Sequence, residues 1–189
     1  MALKQKTTAT TVTEEAPKFV SILDQHMTIK DASKEPGLIP SGTWLLNTLS
    51  MKVNRLTKEV NGEEVTYEQL MVVHEPMEPT QDVSEEELDA VDENGRSLFD
   101  GKRIFTKINL DYAGARRTIS ALLVAHGYDD SEDMAETLRS AVGGSIKGRR
   151  AYGAVATRTW KNRDGSAGRD NEVKAWMSVE DKEAADRDE

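Results

Sequence analysis

Residues 146–161 read IKGRRAYGAVATRTWK, and the alternation within them decides the class of fold. From Arg150 to Trp160, basic and aromatic residues stand at even positions and small or β-branched residues at odd ones. Because successive side chains of a strand point to opposite faces, this period of two predicts a β-strand with two unlike faces. We expect one face to be packed and the other to carry Arg150, Tyr152, Arg158 and Trp160.

The next stretch continues the pattern and predicts the second strand of a hairpin. In Asn171–Val179 one face is expected to hold Val173, Ala175, Met177 and Val179, and the other Glu172, Lys174 and Trp176. The loop between the strands, residues 162–170, carries Arg163 and Arg169 beside flexible glycines. The hairpin therefore gathers cations and rings on one face.

A second hairpin is predicted near the start of the domain. Thr43–Leu56 alternates, with Leu45, Leu49, Met51 and Val53 on one side and Thr48, Ser50, Lys52 and Asn54 on the other. Asn61-Gly62 favours a two-residue turn, because both central residues of a type I′ turn need positive φ. The return strand is predicted at Glu64–His74, with Val65, Tyr67, Met71 and Val73 facing in, and with Pro76 and Pro79 ending it.

A third strand and two helices are predicted between these hairpins. The strand is Lys102–Leu110, with Ile104, Ile108 and Leu110 on one face and Arg103, Phe105, Lys107 and Asn109 on the other. Helical spacing of Ile119, Leu122, Leu123 and His126 predicts a helix within Asp111–His126, which Gly127 ends. A second helix is predicted from about Ser131 to Gly143-Gly144.

The order strand, strand, strand, helix, strand, strand is that of an OB-fold. We therefore predict a mainly β protein with some α structure, namely a five-stranded OB-like Greek-key barrel with a helical insertion between strands 3 and 4. Residues 1–17 are predicted to be a disordered lead, and Phe19–Met27 a short amphipathic helix. Residues 18–179 form the single domain, with an exposed acidic excursion at 75–100, and residues 180–189 form an acidic tail.

The charge of the chain is unevenly distributed. The formal net charge is −9, which by itself argues against a polyanionic partner. Residues 75–100 hold ten acidic residues against one basic, however, and residues 101–176 hold fourteen basic residues against nine acidic. The candidate strands therefore lie in a locally basic module that acidic segments flank.

Several functional classes find no support in the residues. The chain of 189 residues has no cysteine, which excludes disulfides and thiolate chemistry and favours a cytoplasmic location. No segment predicts a secretory signal or a membrane span. His26, His74 and His126 stand far apart in sequence, so packing or surface roles are favoured over a metal site. No phosphate-binding loop or catalytic motif occurs, and we expect neither a cofactor nor enzymatic activity.

The basic and aromatic faces suit an unpaired nucleic acid, because bases stack on aromatic rings while cations follow the phosphates. Such a face can also be simply a solvated strand surface, and the tryptophans can be core residues. The candidate nucleic-acid-binding residues are Arg103, Phe105, Lys107, Lys147, Arg149, Arg150, Tyr152, Arg158, Trp160, Lys161, Arg163, Lys174 and Trp176.

Three segments carry a resemblance to a known family. They are Gly101–Leu110 (GKRIFTKINL), Ala125-His-Gly127, and Thr159–Gly165 through Asn171–Trp176. Across about residues 40–178 the chain resembles phage-encoded single-stranded-DNA-binding proteins of replication and recombination modules. The resemblance implies an OB-like barrel that coats single strands in the host cytoplasm, and an acidic tail that attracts replication or recombination proteins or competes with DNA. The tail ends Asp186-Arg-Asp-Glu189, without the hydrophobic tip of bacterial relatives.

A rival hypothesis assigns the same barrel to a phage structural or assembly protein. The polar lead and the acidic excursion support this hypothesis, since either segment could contact or space neighbouring copies. Under both hypotheses we expect a homo-oligomer that does not engage a membrane.

Overall fold

The computed structural model describes residues 38–91, 95, 97, 99–161 and 165–188. The predicted disordered lead, the predicted Phe19–Met27 helix and Arg163 lie outside this part of the chain. In the described residues, no helix combines the length and the apolar content that crossing a bilayer requires.

Five antiparallel strands form one sheet in the order β3-β2-β1-β4-β5. The strands are β1 (Gly42–Val60), β2 (Glu63–Pro79), β3 (Ile104–Asn109), β4 (Arg150–Lys161) and β5 (Ala167–Met177). The helices are α1 (Glu85–Leu88), α2 (Ala115–Ala125), α3 (Met134–Ser140), which continues into a π-helical turn at Ala141–Ser145, and α4 (Val179–Asp188). A mainly β fold with helices between the third and fourth strands is therefore confirmed.

The sheet does not close into the predicted barrel. Backbone ladders join four pairs of strands, and in the described part of the sheet no ladder joins β3 to β5. The two edge strands approach each other, but side chains line the groove between them, among them Phe105, Lys107, Asn171 and Val173. The sheet is open because side chains, not paired backbones, meet at this seam. Its strand order is consistent with an OB-like fold.

The first hairpin is longer than predicted. Asn61 and Gly62 have φ of 54° and 84°, which confirms the predicted turn. The strand β2 runs through Pro76 to Pro79 instead of ending at His74. Proline is tolerated there because β3 pairs only with Gln69–His74, so that beyond His74 one edge of β2 carries no partner strand.

The faces of β1 and β2 differ from the prediction. Thr48 is fully buried, and an irregularity between Thr48 and Ser50 shifts the alternation so that Met51 is buried as well. On β2 the buried positions are Leu70, Val72, Val73 and His74. The odd positions Val65, Tyr67 and Met71 are exposed or partly exposed and belong to the outer face. The sequence could not choose between the faces, because residues 70–73 are all apolar.

Two apolar clusters fill the interior. One surrounds α2, whose Ile119, Leu122 and Leu123 pack on strand residues that include Leu70 and Ile108. The other surrounds Trp44, which is 1% exposed and donates its indole N–H to the Pro40 carbonyl at 2.9 Å. Both clusters lie beneath the strands that carry the candidate interface.

The acidic excursion is anchored to the second cluster, contrary to the expectation of a wholly exposed segment. Val83 is 4% exposed, and the Phe99 ring meets the Trp44 ring edge-on at 5.5 Å. Burial of these two side chains fixes the described part of the excursion on the domain. Ser84 caps α1 by accepting from the Glu87 N–H at 3.4 Å.

The predicted acidic tail forms helix α4. Its first turn is capped by Ser178, whose hydroxyl accepts from the Asp181 N–H at 3.0 Å. Lys182 and Asp186 form an ion pair one turn apart along the helix. The helix packs against β4, and Lys182, Ala185 and Asp186 line a cavity with Thr43 and Met177. The acidic helix α4 therefore lies next to β4, which carries predicted cations of the interface.

Candidate nucleic-acid interface

The strand β4 shows the predicted two faces. Ala151, Gly153 and Val155 are buried, whereas Arg150, Arg158 and Trp160 are exposed and Tyr152 is partly exposed. Gly153 is required by close packing, because a Cβ there would lie 2.6 Å from Leu46 Cδ1 and 2.9 Å from Val173 Cγ1. The core contact thus determines which side of β4 faces outward.

Trp160 is the exposed tryptophan of the interface, with 39% of its surface accessible. Its indole lies across Gly168 on the paired strand, where any Cβ would overlap the ring. The Arg158 guanidinium carbon stands 5.3 Å from the ring centroid, within the range of a cation–π contact. Glycine at 168 therefore lets the ring lie across the hairpin beside a cation.

Arg158 is held in place by its neighbouring strand. Its Nε and Nη2 donate to the two carboxylate oxygens of Asp170 at 3.1 and 2.9 Å. The side chain remains 45% exposed, and surface ion pairs of this kind are weak. A phosphate oxygen could exchange with the carboxylate at low energetic cost.

The strand β3 also shows the predicted faces. Ile104, Thr106 and Ile108 are buried, and Phe105 is 46% exposed. Phe105 and Lys107 share the groove at the β3–β5 seam with Arg158. The fold therefore brings together residues that are more than fifty positions apart in the sequence.

Trp176 does not lie on this face, contrary to the prediction. Its ring centroid lies 4.9 Å from that of His74 and 5.4 Å from that of His126, and it packs against both core clusters. The cause is a bulge: Ala154 pairs with Ala175 and Val155 with Val173, which leaves Lys174 as an extra residue. The alternation reverses there, so that Val173 and Trp176 both face in.

Some of the predicted cations bind other residues of the protein, and others are exposed to solvent. The Arg149 guanidinium donates to the carbonyls of His126, Gly127 and Ser145 at 2.9, 3.0 and 3.1 Å. It also lies over the Tyr128 ring, so these contacts hold it within the fold. Lys174 pairs with Glu172 at 2.5 Å. The other predicted cations within the described residues are exposed. They are Arg103, Lys107, Lys147, Arg150, Arg158 and Lys161.

The outer face of β1 and β2 adds residues that the sequence analysis missed. Across three strands, Lys52 pairs with Met71 and Met71 with Lys107, so two lysines flank a thioether. Lys58 stands 5.1 Å from the Tyr67 ring centroid. These residues were missed because Tyr67 and Met71 were assigned to the inner face.

Tyr112 is a further exposed aromatic residue close to β3. It is 69% exposed, and its ring covers Gly114, where a Cβ would lie 2.5 Å from Tyr112 Cε1. No periodic pattern marked this residue, because it lies in the turn between β3 and α2. Its nearness in sequence to Arg116 and Arg117 is the signal that could have identified it.

The fold brings two of the histidines together in the core. His74 and His126 have ring centroids 6.0 Å apart and share hydrogen bonds with Thr48. Within the described ranges, no group of three acidic, histidine or cysteine side chains could hold a metal ion.

Comparisons with known proteins identify no family. No protein-family model matches the chain, and no curated protein matches it. Among solved structures, the chain is similar to one described as "Yeast RPA bound to ssDNA", with 12% identity and a TM-score of 0.33 over 90% of this chain and 97% of that chain. Because this TM-score is low, the similarity carries no weight for function.

Proposed function

We propose that the protein binds single-stranded DNA without strong sequence preference. The observation that carries the proposal is the outer strand surface on which exposed Phe105 and Trp160 stand with Lys107 and Arg158. We call the outer faces of β1 to β4, with the β3–β5 seam, the outer sheet face.

The chemistry of this face fits an unpaired strand better than a duplex. Aromatic rings at Phe105 and Trp160 can stack on bases only if the bases are not already paired and stacked with each other. Any base offers a π-face, so stacking tolerates sequence. The lysines and arginines between the rings neutralise phosphates and release counterions, which makes the affinity depend steeply on salt.

The biological setting follows from the sequence resemblance rather than from the geometry. We propose that the protein protects or presents single strands during phage DNA replication or recombination. In this proposal the open sheet is OB-like, several copies associate, and the acidic segments act on partner proteins or on DNA access. Helix α4 is an acidic segment that packs against β4.

A fluorescence titration tests the proposal. Oligo-dT should quench the tryptophan emission, and the quenching should disappear in Trp160→Phe, because Trp44 is 1% exposed and Trp176 packs in the core. The double variant Phe105→Ala/Trp160→Ala should lose affinity, measured by the anisotropy of a labelled oligonucleotide, while keeping the circular dichroism spectrum of the parent. Equal affinity for duplex and single strand, or unchanged affinity of the double variant, would refute the proposal.

A second candidate function is self-assembly, which the hairpin favours. Val60 and Val65 are 39% and 40% exposed and lie near the turn of the β1–β2 hairpin, away from the core clusters. Exposed apolar side chains that lie close together are typical of protein contact surfaces. Light scattering with and without oligo-dT separates the two functions, since a structural assembly should form at a defined mass that ignores DNA.

A further inference from the structure

A chain of buried hydrogen bonds crosses the core beneath the outer sheet face. It joins His74 on β2, Thr48 on β1 and His126 at the end of α2, which are 0%, 0% and 3% exposed. The Thr48 hydroxyl lies 3.2 Å from His74 Nδ1 and 2.8 Å from His126 Nε2. His126 Nδ1 lies 2.7 Å from the Leu122 carbonyl oxygen.

These distances fix the position of each proton. The Leu122 carbonyl can only accept, so His126 Nδ1 carries a proton and its Nε2 does not. His126 Nε2 therefore accepts from the Thr48 hydroxyl. Thr48, having donated its one proton, accepts from His74 Nδ1. The chain thus runs in one direction, and His74 Nε2 is left with a lone pair.

Neutral imidazoles are what this chain requires, and burial supplies them. Burial, aided by the neighbouring His126, lowers the pKa of His74 to about 3. Burial is also the main cause that lowers the pKa of His126, with a smaller contribution from the charge of Arg149. At neutral pH each ring carries one proton and is therefore uncharged.

Two buried polar atoms in the described core have no partner, and they lie on adjacent strands. They are His74 Nε2 and Thr106 Oγ1. Val72 pairs with Thr106 and His74 with Ile104, so His74 and Thr106 are diagonal neighbours on the inner face of the β2–β3 ladder. Diagonal neighbours in a sheet are about 7–8 Å apart, with somewhat shorter separations between Cβ atoms.

We infer that a single water molecule binds between His74 Nε2 and Thr106 Oγ1 and completes the chain. Two hydrogen bonds through one oxygen span up to about 5.6 Å, which suits side chains that are diagonal neighbours. The water donates to His74 Nε2 and accepts from the Thr106 hydroxyl. Each atom then has the partner that buried polar groups require.

Access supports water as the occupant. Thr106, though not His74, lines a groove of about 50 Å³ at the β3–β5 seam. Because no ladder closes this seam in the described part of the sheet, solvent can enter from it. A metal ion does not fit, since one imidazole and one hydroxyl are too few ligands for a stable site.

The bound water has a structural consequence. It connects β3 to a hydrogen-bond chain that already holds β2, β1 and α2. The strand that carries Phe105 and Lys107 is thereby tied to the core by polar as well as apolar contacts.

Nuclear magnetic resonance of the full-length ¹⁵N-labelled protein tests the inference. Long-range ¹H–¹⁵N correlations should show His74 and His126 both as Nδ1–H tautomers. A long-lived water should show a rotating-frame Overhauser signal to the His74 ring. Thr106→Val, which exchanges the hydroxyl for a methyl group of similar shape, should abolish that signal and move the His74 Nε2 resonance toward the value of an unbonded nitrogen.

The control variant is Thr106→Ser, which keeps the hydroxyl and should retain both signals. An Nε2–H tautomer at His74 would overturn the inference, and so would a Thr106→Val protein with an unchanged His74 Nε2 resonance. If Thr106→Val does not fold, the parent protein still decides through the tautomer and the Overhauser signal of the water. No arm of the experiment uses DNA, so the result is independent of the proposed function.

Discussion

Mild acid should destabilise the protein through its buried histidines. His74 has an ordinary pKa of 6.5 when unfolded and about 3 in the fold, because burial disfavours the charged ring. The unfolded chain therefore binds more protons than the native state between these values. The stabilisation from neutral His74 is complete above pH 6.5 and is lost as the pH falls toward 3.

The magnitude follows from the size of the shift. For each pH unit in this window, the free energy of unfolding falls by about 1.4 kcal/mol for every proton that the unfolded state binds and the native state does not. From about pH 7.5 to about pH 5.0, His74 alone should cost about 2 kcal/mol, since only the part below 6.5 contributes. His126, whose pKa is lowered in the same direction, adds to this loss.

Urea denaturation at a series of pH values measures the effect. In His74→Asn an amide N–H can take the place of the imidazole Nδ1–H toward Thr48, but the side chain does not titrate. The variant should show a flatter dependence of unfolding free energy on pH, with only the His126 contribution left. Equal stability of the parent at about pH 7.5 and about pH 5.0, or the same pH dependence in the variant, would show the reasoning to be wrong.

Two glycine substitutions give further predictions. Gly153→Ala should lower the free energy of unfolding by about 1–3 kcal/mol, because its Cβ would press on Leu46 and Val173; thermal denaturation measures this, and an unchanged midpoint would contradict it. Gly168→Ala should displace the Trp160 indole, shift its emission to longer wavelength and weaken oligo-dT binding with little loss of stability. Unaltered emission would show that the ring does not lie on Gly168.

The alternation of β4 was the most reliable guide to the fold. From Arg150 to Trp160 its odd positions are small or β-branched, and its even positions hold all the basic and aromatic residues besides Ala154 and Ala156, so only one orientation buries the apolar side. The same holds for β3, where Phe105 and Lys107 face outward as predicted. Strands with two unlike faces specify their own orientation.

Strand β2 could not be oriented in this way. Leu70, Met71, Val72 and Val73 are all apolar, so residues of both parities qualify for the core. Register with β1 and β3 decides: Leu70, Val72 and His74 are buried, and Val73 is buried as well. Tyr67 and Met71 on the outer face of β2 could therefore not be identified from a pattern of period two.

Bulges explain the remaining errors about strand faces. The extra residue at Lys174 turns Trp176 inward, and an irregularity after Thr48 turns that threonine inward. A bulge depends on pairing with another strand, which is not encoded in the local alternation. The contact between His74 and His126 is likewise a product of the tertiary fold, since the residues are 52 positions apart in the sequence.

The central claim is that the outer sheet face binds single-stranded DNA. The salt dependence of the affinity for oligo-dT tests it most directly. Lys52→Gln/Lys107→Gln removes two exposed cations from the outer sheet face, and should weaken binding equally for all sequences. The slope of log Kd against log salt concentration should fall by about one for each lysine that no longer neutralises a phosphate.

A matched control removes a cation elsewhere. Arg55 is paired with Glu68 at 3.2 Å and, by strand alternation, projects on the opposite side of the β1–β2 hairpin from Lys52 and Lys58. Arg55→Gln should leave both the affinity and the slope close to those of the parent. The claim is contradicted if Lys52→Gln/Lys107→Gln leaves the slope unchanged, or if Arg55→Gln lowers it as much per charge removed.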